Sequence, residues 1–151
     1  MRVLFLKAGY ALIRVYESLP LPKIPGVLVV LTYEGKLLLV QHTYGKEGWF
    51  LPGGLRPWFK SAINQASSEI TQELGIETPE LKYIGKVKSG PRSIDLFTGE
   101  LTDFRHFKKS PEIKTYGFYK EHELEDQKIE LSPITRQALY RIGWGAVHAN
   151  A

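Results

Sequence analysis

Glu69 and Glu73 stand four residues apart in SSEITQELGI, shortly after the turn Pro52-Gly53-Gly54. On a helix this spacing puts both carboxylates on one face, with Gln72 beside them. Like charges so placed repel mildly. Either water screens them on a solvated face, or a hard divalent cation sits between them. Mg²⁺ suits such a place because it takes carboxylate, carbonyl and water oxygens. The Gly-Gly turn would bring a main-chain carbonyl close to the helix, since glycine has no side chain to hold the backbone away.

The elements that must position these groups follow from periodicity. Ile63, Ala66, Ile70 and Leu74 recur at three- and four-residue steps. That predicts a helix with this stripe buried and both glutamates flanking it on the exposed side. Ser61 is its expected N-cap and Gly75 the residue just past its end. Upstream, GVLVVLTY and KLLLVQHTY flank Glu34-Gly35 and read as a β-hairpin. WFLPGG is a short strand ending in the glycine turn. LKYIGKVKS, SIDLFTGEL and IKTYGFYK read as three more strands, and SPITRQALYRIG as a closing helix capped by Ser132 with Pro133 in its first turn. The expected architecture is a mixed sheet with helices packed on it, an α/β or α+β sandwich.

Composition narrows the function classes. The chain has 151 residues, 43% of them apolar and 24% charged, and no cysteine. This is one globular domain with room for a core. A disulfide framework, a thiolate zinc site and a cysteine nucleophile are excluded, and a reducing, cytoplasmic setting fits. The net charge of +4 suits an anionic ligand such as a phosphate. It is too small and scattered to argue for duplex nucleic acid.

Residues 1–25 are read apart from the domain at 26–151. MRVLFLKAGYALIRVYESL is apolar and lightly basic, but Lys7 breaks the run and no small-residue cleavage site precedes LPLPKIP. It is too short and broken to span a membrane. It predicts an amphipathic helix with Leu4, Leu6, Ala8, Ala11, Leu12, Val15 and Tyr16 mostly on one side, followed by a stiff proline connector. That side docks on the domain or on a second subunit, giving a homodimer. The sharper alternative is a membrane surface, with Arg2, Lys7 and Arg14 toward lipid headgroups.

LPGG, a loop, and then SEITQELGI together resemble the Nudix box of the Nudix hydrolases, whose pattern is G-x5-E-x7-R-E-U-x-E-E-x-G-U with U apolar. Anchored on Gly54, the pattern puts its first glutamate on Lys60, its arginine on Ser68, and its next glutamate on Glu69. The apolar position falls on Ile70, the paired glutamates on Gln72 and Glu73, and the closing pair on Gly75 and Ile76. The hairpin and QHTYGKEGWFLPGG are similar too, so the resemblance runs over about residues 26 to 142. It implies the Nudix fold, a mixed β-sheet sandwiched between helices, here with an extra N-terminal amphipathic helix.

Three box positions depart from the pattern: Lys60, Ser68 and Gln72. In the family the loop glutamate and the arginine pair and hold the loop to the helix. Losing both partners costs far less than stranding one buried charge. Trp58 and Phe59 are then expected to wedge the loop against the core, or else to form an apolar contact for substrate or partner.

The resemblance implies hydrolysis of a nucleoside diphosphate linked to another moiety, a pyrophosphohydrolase reaction. Mg²⁺ or Mn²⁺ would be held by Glu69, Glu73 and the carbonyl of Gly53, with Gln72 offering a neutral oxygen. Fewer acidic ligands imply weaker metal binding. Lys60 would either face phosphate or repel the metal. A base from outside the box would be Asp95, Glu100 or Glu112. Lys86, Lys88 and Arg92 are candidates for phosphate contacts, or simply a solvated strand face. His42, Tyr44 and Trp49 could stack on a nucleobase, although strand aromatics are more often core. FRHFKK, residues 104–109, has a composition that can bind RNA, or is a solvated loop. The alternative to a hydrolase is a catalytically silent Nudix-fold module that binds a nucleotide or partner without cutting it.

Overall fold

The computed structural model describes residues 2–19, 23–45 and 47–144. Helix α1 (Arg2–Ser18) precedes strands β1 (Gly26–Tyr33), β2 (Lys36–His42) and β3 (Gly53–Leu55). Helix α2 (Ala62–Glu69) continues into a π-helical turn (Ile70–Leu74). Strands β4 (Lys82–Ser89), β5 (Arg92–Leu101) and β6 (Ile113–Tyr119) follow, then helices α3 (Glu121–Asp126) and α4 (Pro133–Arg141).

The sheet has the order β4-β5-β1-β2-β6, with β3 also paired to β1. β1 and β5 run parallel and the other pairs antiparallel, so the sheet is mixed as expected. Glu34 and Gly35 join β1 to β2 with φ of 50° and 71°, the left-handed pair that a two-residue hairpin turn needs. Past the turn the hairpin strands diverge. β1 pairs with β2 through Thr32–Leu37 and Tyr33–Lys36, whereas Gly26, Val27 and Leu28 pair with Leu55, Gly54 and Gly53 of β3. Phe50 exchanges backbone hydrogen bonds with Val40 of β2 on the other side. The segment from Trp49 to Leu55 therefore fills the opening between the strands and delivers the Pro-Gly-Gly turn to the start of α2.

β1 and β2 are apolar without interruption because both of their faces are covered. Val27, Val29, Leu31, Leu38 and Val40 join Ala66, Ile70 and Leu74 of the α2 segment in one core. Leu28, Val30, Leu37 and Leu39 join Ala138 and Leu139 of α4 in the other. Successive side chains of a strand point to opposite faces, so each strand serves both layers.

The caps stand where the sequence puts them. Ser61 accepts from the Asn64 amide and Ser132 from the Thr135 amide, both at 3.3 Å, and Gly75 closes the helix with φ of 65°. Four expectations are corrected. The α2 helix widens into a π turn from Ile70. Ile63 is exposed, so the buried stripe begins at Ala66. Helix α3 forms where no helix was expected, with Glu123 accepting from the Lys120 amide at 2.6 Å. The fourth concerns α1. Its apolar side, Ala8, Ala11, Leu12 and Val15, faces solvent, with Leu12 70% and Val15 60% exposed, while Gly9, Ile13 and Tyr16 are half-buried. That side therefore does not dock on the chain's own domain. The side chains of Leu4, Leu6, Arg2 and Lys7 lie outside the described residues.

Candidate active site

A cleft of about 840 Å³ opens where β3 meets α2. Gly53, Gly54, Glu69, Glu73 and Glu112 line its acidic side, and His42, Tyr44 and Arg92 line it as well. Both glycines are required by close approach. A Cβ on Gly53 would overlap the Val27 carbonyl, and one on Gly54 would overlap the Glu69 carboxylate.

Glu73 is 3% exposed, against the expectation of an exposed carboxylate. It follows Ile70 by three residues, at the edge of the buried stripe, and β3 covers that edge. Its Oε2 accepts from the Gly53 amide at 3.2 Å. The segment 108–110 covers the helix end, with the Lys108 amide donating to the Leu74 carbonyl and the Ser110 amide to the Glu73 carbonyl, both at 2.8 Å. Burial holds the Glu73 carboxyl well above the usual carboxylate range, and the Glu69 charge adds to this; the Gly53 amide offsets part of it. Glu69 is half-buried. Burial raises it too, while a 2.5 Å hydrogen bond from the Gln65 side-chain amide and the charge of Lys60 pull it back. Glu112 raises both. Among the described residues neither Glu69 nor Glu73 forms a salt bridge.

Lys60 and Ser68 occupy the box positions where the family has an ion pair, and they touch: Lys60 Nζ donates to Ser68 Oγ at 2.6 Å. Arg56 Nη1 donates to the Lys60 carbonyl at 3.1 Å, and the Lys60 amide to the Pro57 carbonyl at 3.1 Å. These bonds hold the loop. Trp58 and Phe59 do not wedge it, being 90% and 73% exposed and stacked on each other in a T-shape.

The remaining site expectations separate cleanly. Gln72 is exposed and outside the cleft, since it falls on the solvent side of the turn that buries Glu73. Lys86 is drawn away by Asp95, with Nζ 2.8 Å from Oδ1. Asp95 is itself buried beneath Lys86, Tyr83 at 3.3 Å and Arg56 at 3.8 Å. Lys88, Lys60 and the exposed Glu100 do not line the cleft either. Of the three candidate bases, Glu112 faces the carboxylates. His42 lines the cleft edge-on to Phe50, and burial lowers its pKa; burial also lowers that of Arg92. Trp49 packs on Tyr119 in the core. In FRHFKK, Phe104 and Phe107 pack with Tyr33, Tyr116 and Phe118.

Sequence reasoning missed Gln65 and the cleft contacts of Arg14 and Lys23. Gln65 was findable, lying four residues before Glu69 on the same helix face. The others carry no local signal.

The donor set fits a hard divalent cation. Two carboxylates meet beside a turn with no side chain in the way, in a place where an uncompensated negative charge is costly. Among the described residues no three histidine or acidic side chains cage an ion by themselves. An ion held there would therefore need main-chain oxygen and water as well, as hard divalent cations accept.

Comparison with known proteins agrees with this geometry. The family model described as NUDIX domain matches residues 22–141. A MutT NUDIX hydrolase from Burkholderia pseudomallei superposes with a TM-score of 0.68 at 19% identity, over 79% of this chain and 97% of that one. The NUDIX domain of Shewanella oneidensis NrtR complexed with ADP ribose gives 0.66 at 14% identity, over 79% and 85%. A C. elegans Ap4A hydrolase in a binary complex gives 0.63 at 15% identity, over 79% and 94%. Comparison with curated protein sequences returns no significant match. With the family model spanning most of the chain and the box turn, helix and sheet all in register, the protein belongs to the Nudix family.

Proposed function

We propose that the chain is a divalent-cation-dependent hydrolase of a nucleoside diphosphate linked to a second group. The observation that carries this reading is the buried Glu73 carboxylate beside half-buried Glu69, with no salt bridge to either among the described residues. Burying such charge is unfavourable unless an ion compensates it. Glu69, Glu73 and the Gly53 carbonyl would hold Mg²⁺ or Mn²⁺. Such an ion supplies charge neutralisation for the diphosphate and Lewis acidity at phosphorus.

The chain's own groups have the following roles in this reading. The Gly53 amide orients Glu73, and Gln65 orients Glu69. Glu112 takes the proton from the attacking water, because it is the one candidate base that faces both carboxylates. Arg92 contacts phosphate, and His42 and Tyr44 flank the base or the second group. The cysteine-free composition supports a cytosolic setting.

The test is a panel of nucleoside diphosphate derivatives with Mg²⁺ or Mn²⁺, run on the wild-type chain and Glu73→Gln. Turnover by the wild type that Glu73→Gln lacks is the expected result. No turnover by either, together with no metal binding in calorimetry, overturns the reading. That outcome would favour the second reading, a silent binding module. Lys60 beside Glu69 and the solvent-facing Gln72 speak for it.

A further inference from the structure

Helix α1 has two sides of different surroundings. Gly9 and Ile13 wall the cleft. Ala8, Ala11, Leu12 and Val15 are exposed, and so is Leu19 just past the helix end. These five recur at steps of three and four residues, so they form one continuous apolar stripe along the helix. A lone exposed leucine needs no explanation, but a contiguous stripe kept in water is unfavourable and marks a contact surface. Arg14, also exposed, follows Ala11 by three residues and stands at the edge between the stripe and the cleft.

The charge of the helix selects what covers the stripe. α1 carries Arg2, Lys7 and Arg14 against one acid, Glu17. A second copy of the chain is poorly matched, because a two-fold pair lays the same surface on itself and brings a net positive helix against a net positive helix. An anionic surface is complementary to it. No helix of the described residues is long and apolar enough to cross a membrane, so such a contact is a helix lying along the surface. We propose that the outer side of α1 docks on an anionic lipid bilayer, with Leu12, Val15 and Leu19 at the boundary between headgroups and acyl chains and Arg14 at the headgroups. Arginine suits that edge, since its stem lies on apolar surface while its guanidinium reaches phosphate. A short apolar stripe binds a bilayer only marginally by itself, and the basic side chains add the electrostatic part. Docking is independent of the hydrolase reading. Because Gly9 and Ile13 of the same helix wall the cleft, a docked chain holds that wall one helix diameter, about 10 Å, from the headgroups.

The experiment is flotation of the full chain with vesicles of phosphatidylcholine alone and of phosphatidylcholine with about 30% phosphatidylserine. The proteins are wild type, the double variant Leu12→Ser/Val15→Ser, Arg14→Glu, and Lys128→Glu as an equal charge change on an exposed residue outside α1. Circular dichroism checks each fold, and sedimentation without lipid gives the oligomeric state. Wild type should partition onto the anionic vesicles about 10-fold or more better than onto neutral ones. The double variant should lose about 10-fold or more of that binding with its fold intact, because both side chains are exposed in the free chain. Arg14→Glu should lose about 10-fold and Lys128→Glu less than about 3-fold. Absence of wild-type binding to the anionic vesicles, or binding that the double variant retains, overturns the proposal. Equal losses for Arg14→Glu and Lys128→Glu overturn it too, since net charge alone would then bring the chain to the vesicle. A dimer in sedimentation that the double variant dissociates makes a second copy the occupant and has the same consequence. Flotation needs neither metal nor nucleotide, so a wild type that floats but cleaves nothing sinks the hydrolase reading alone, and turnover without flotation sinks this proposal alone.

Discussion

The ammonium of Lys60 donates to the hydroxyl of Ser68 across 2.6 Å, joining the two box positions that the family joins by an ion pair. The link between loop and helix is thus kept with its charge inverted on the loop side. Lys60 also lies near enough to Glu69 to pull its pKa down. A cation there competes with a metal for the same carboxylate. Lys60→Glu should therefore raise Mn²⁺ affinity, by about 3- to 10-fold for a charge reversal at a half-buried position. Calorimetric titration checks it, and equal or weaker affinity refutes the competition. Adding Ser68→Arg to Lys60→Glu should keep that gain and restore any melting temperature lost with the Lys60–Ser68 bond.

Gln65 is buried and spends its amide on Glu69. Groups that orient a metal ligand commonly matter about 10- to 100-fold in affinity. Gln65→Leu, of similar volume, should lower Mn²⁺ affinity by about 10-fold while leaving the fold intact. Circular dichroism verifies the fold, and undiminished affinity would show that Glu69 needs no such orientation.

Glu112 is the candidate base. Glu112→Gln should lower kcat by about 100-fold or more with KM for the nucleotide little changed. Asp95→Asn and Glu100→Gln serve as comparisons. Asp95→Asn should cost stability, because it unpairs Lys86 and Arg56, and Glu100→Gln should do nothing measurable. A kcat for Glu112→Gln equal to wild type would remove Glu112 from the reaction.

Stability of the metal-free protein should depend on pH through Glu73. Its folded pKa lies well above the ordinary value of 4.5. Below 4.5 the carboxyl is protonated in both states and contributes nothing to the pH dependence. As pH rises through the interval from there to the folded value, the unfolded chain sheds its proton first. The native state then binds more protons than the unfolded one, and stability falls with rising pH. In EDTA, the melting temperature of wild type minus that of Glu73→Gln should decline over this interval. Saturating Mn²⁺ should flatten or reverse the decline. A flat difference in EDTA would mean that burial does not raise the Glu73 pKa.

Much of the local structure was legible in the chain. Glu34-Gly35 could only be a tight hairpin turn, Ser61 and Ser132 announced helix starts, and Gly75 a helix end. The Gly54-anchored pattern located Glu69 and Glu73. Gln72 shows where such reading stops. It fills a box position, but its direction depends on which side of the helix β3 covers.

The turns, the caps and the order of apolar runs were written locally in the chain, because they follow from the φ preferences and hydrogen-bonding groups of a few adjacent residues. The tertiary structure alone decided that Glu73 is buried, that Leu12 and Val15 of α1 face outward, and that Trp58 and Phe59 stay in solvent. It also decided that Lys86 is spent on Asp95, its direct partner in the β4–β5 register, while Glu112, from the turn before β6, lines the cleft with the carboxylates. Each of these depends on groups brought together from distant parts of the chain. Burial and charge proximity belong to the packed surfaces on both sides of a contact, and no single segment encodes the side it meets.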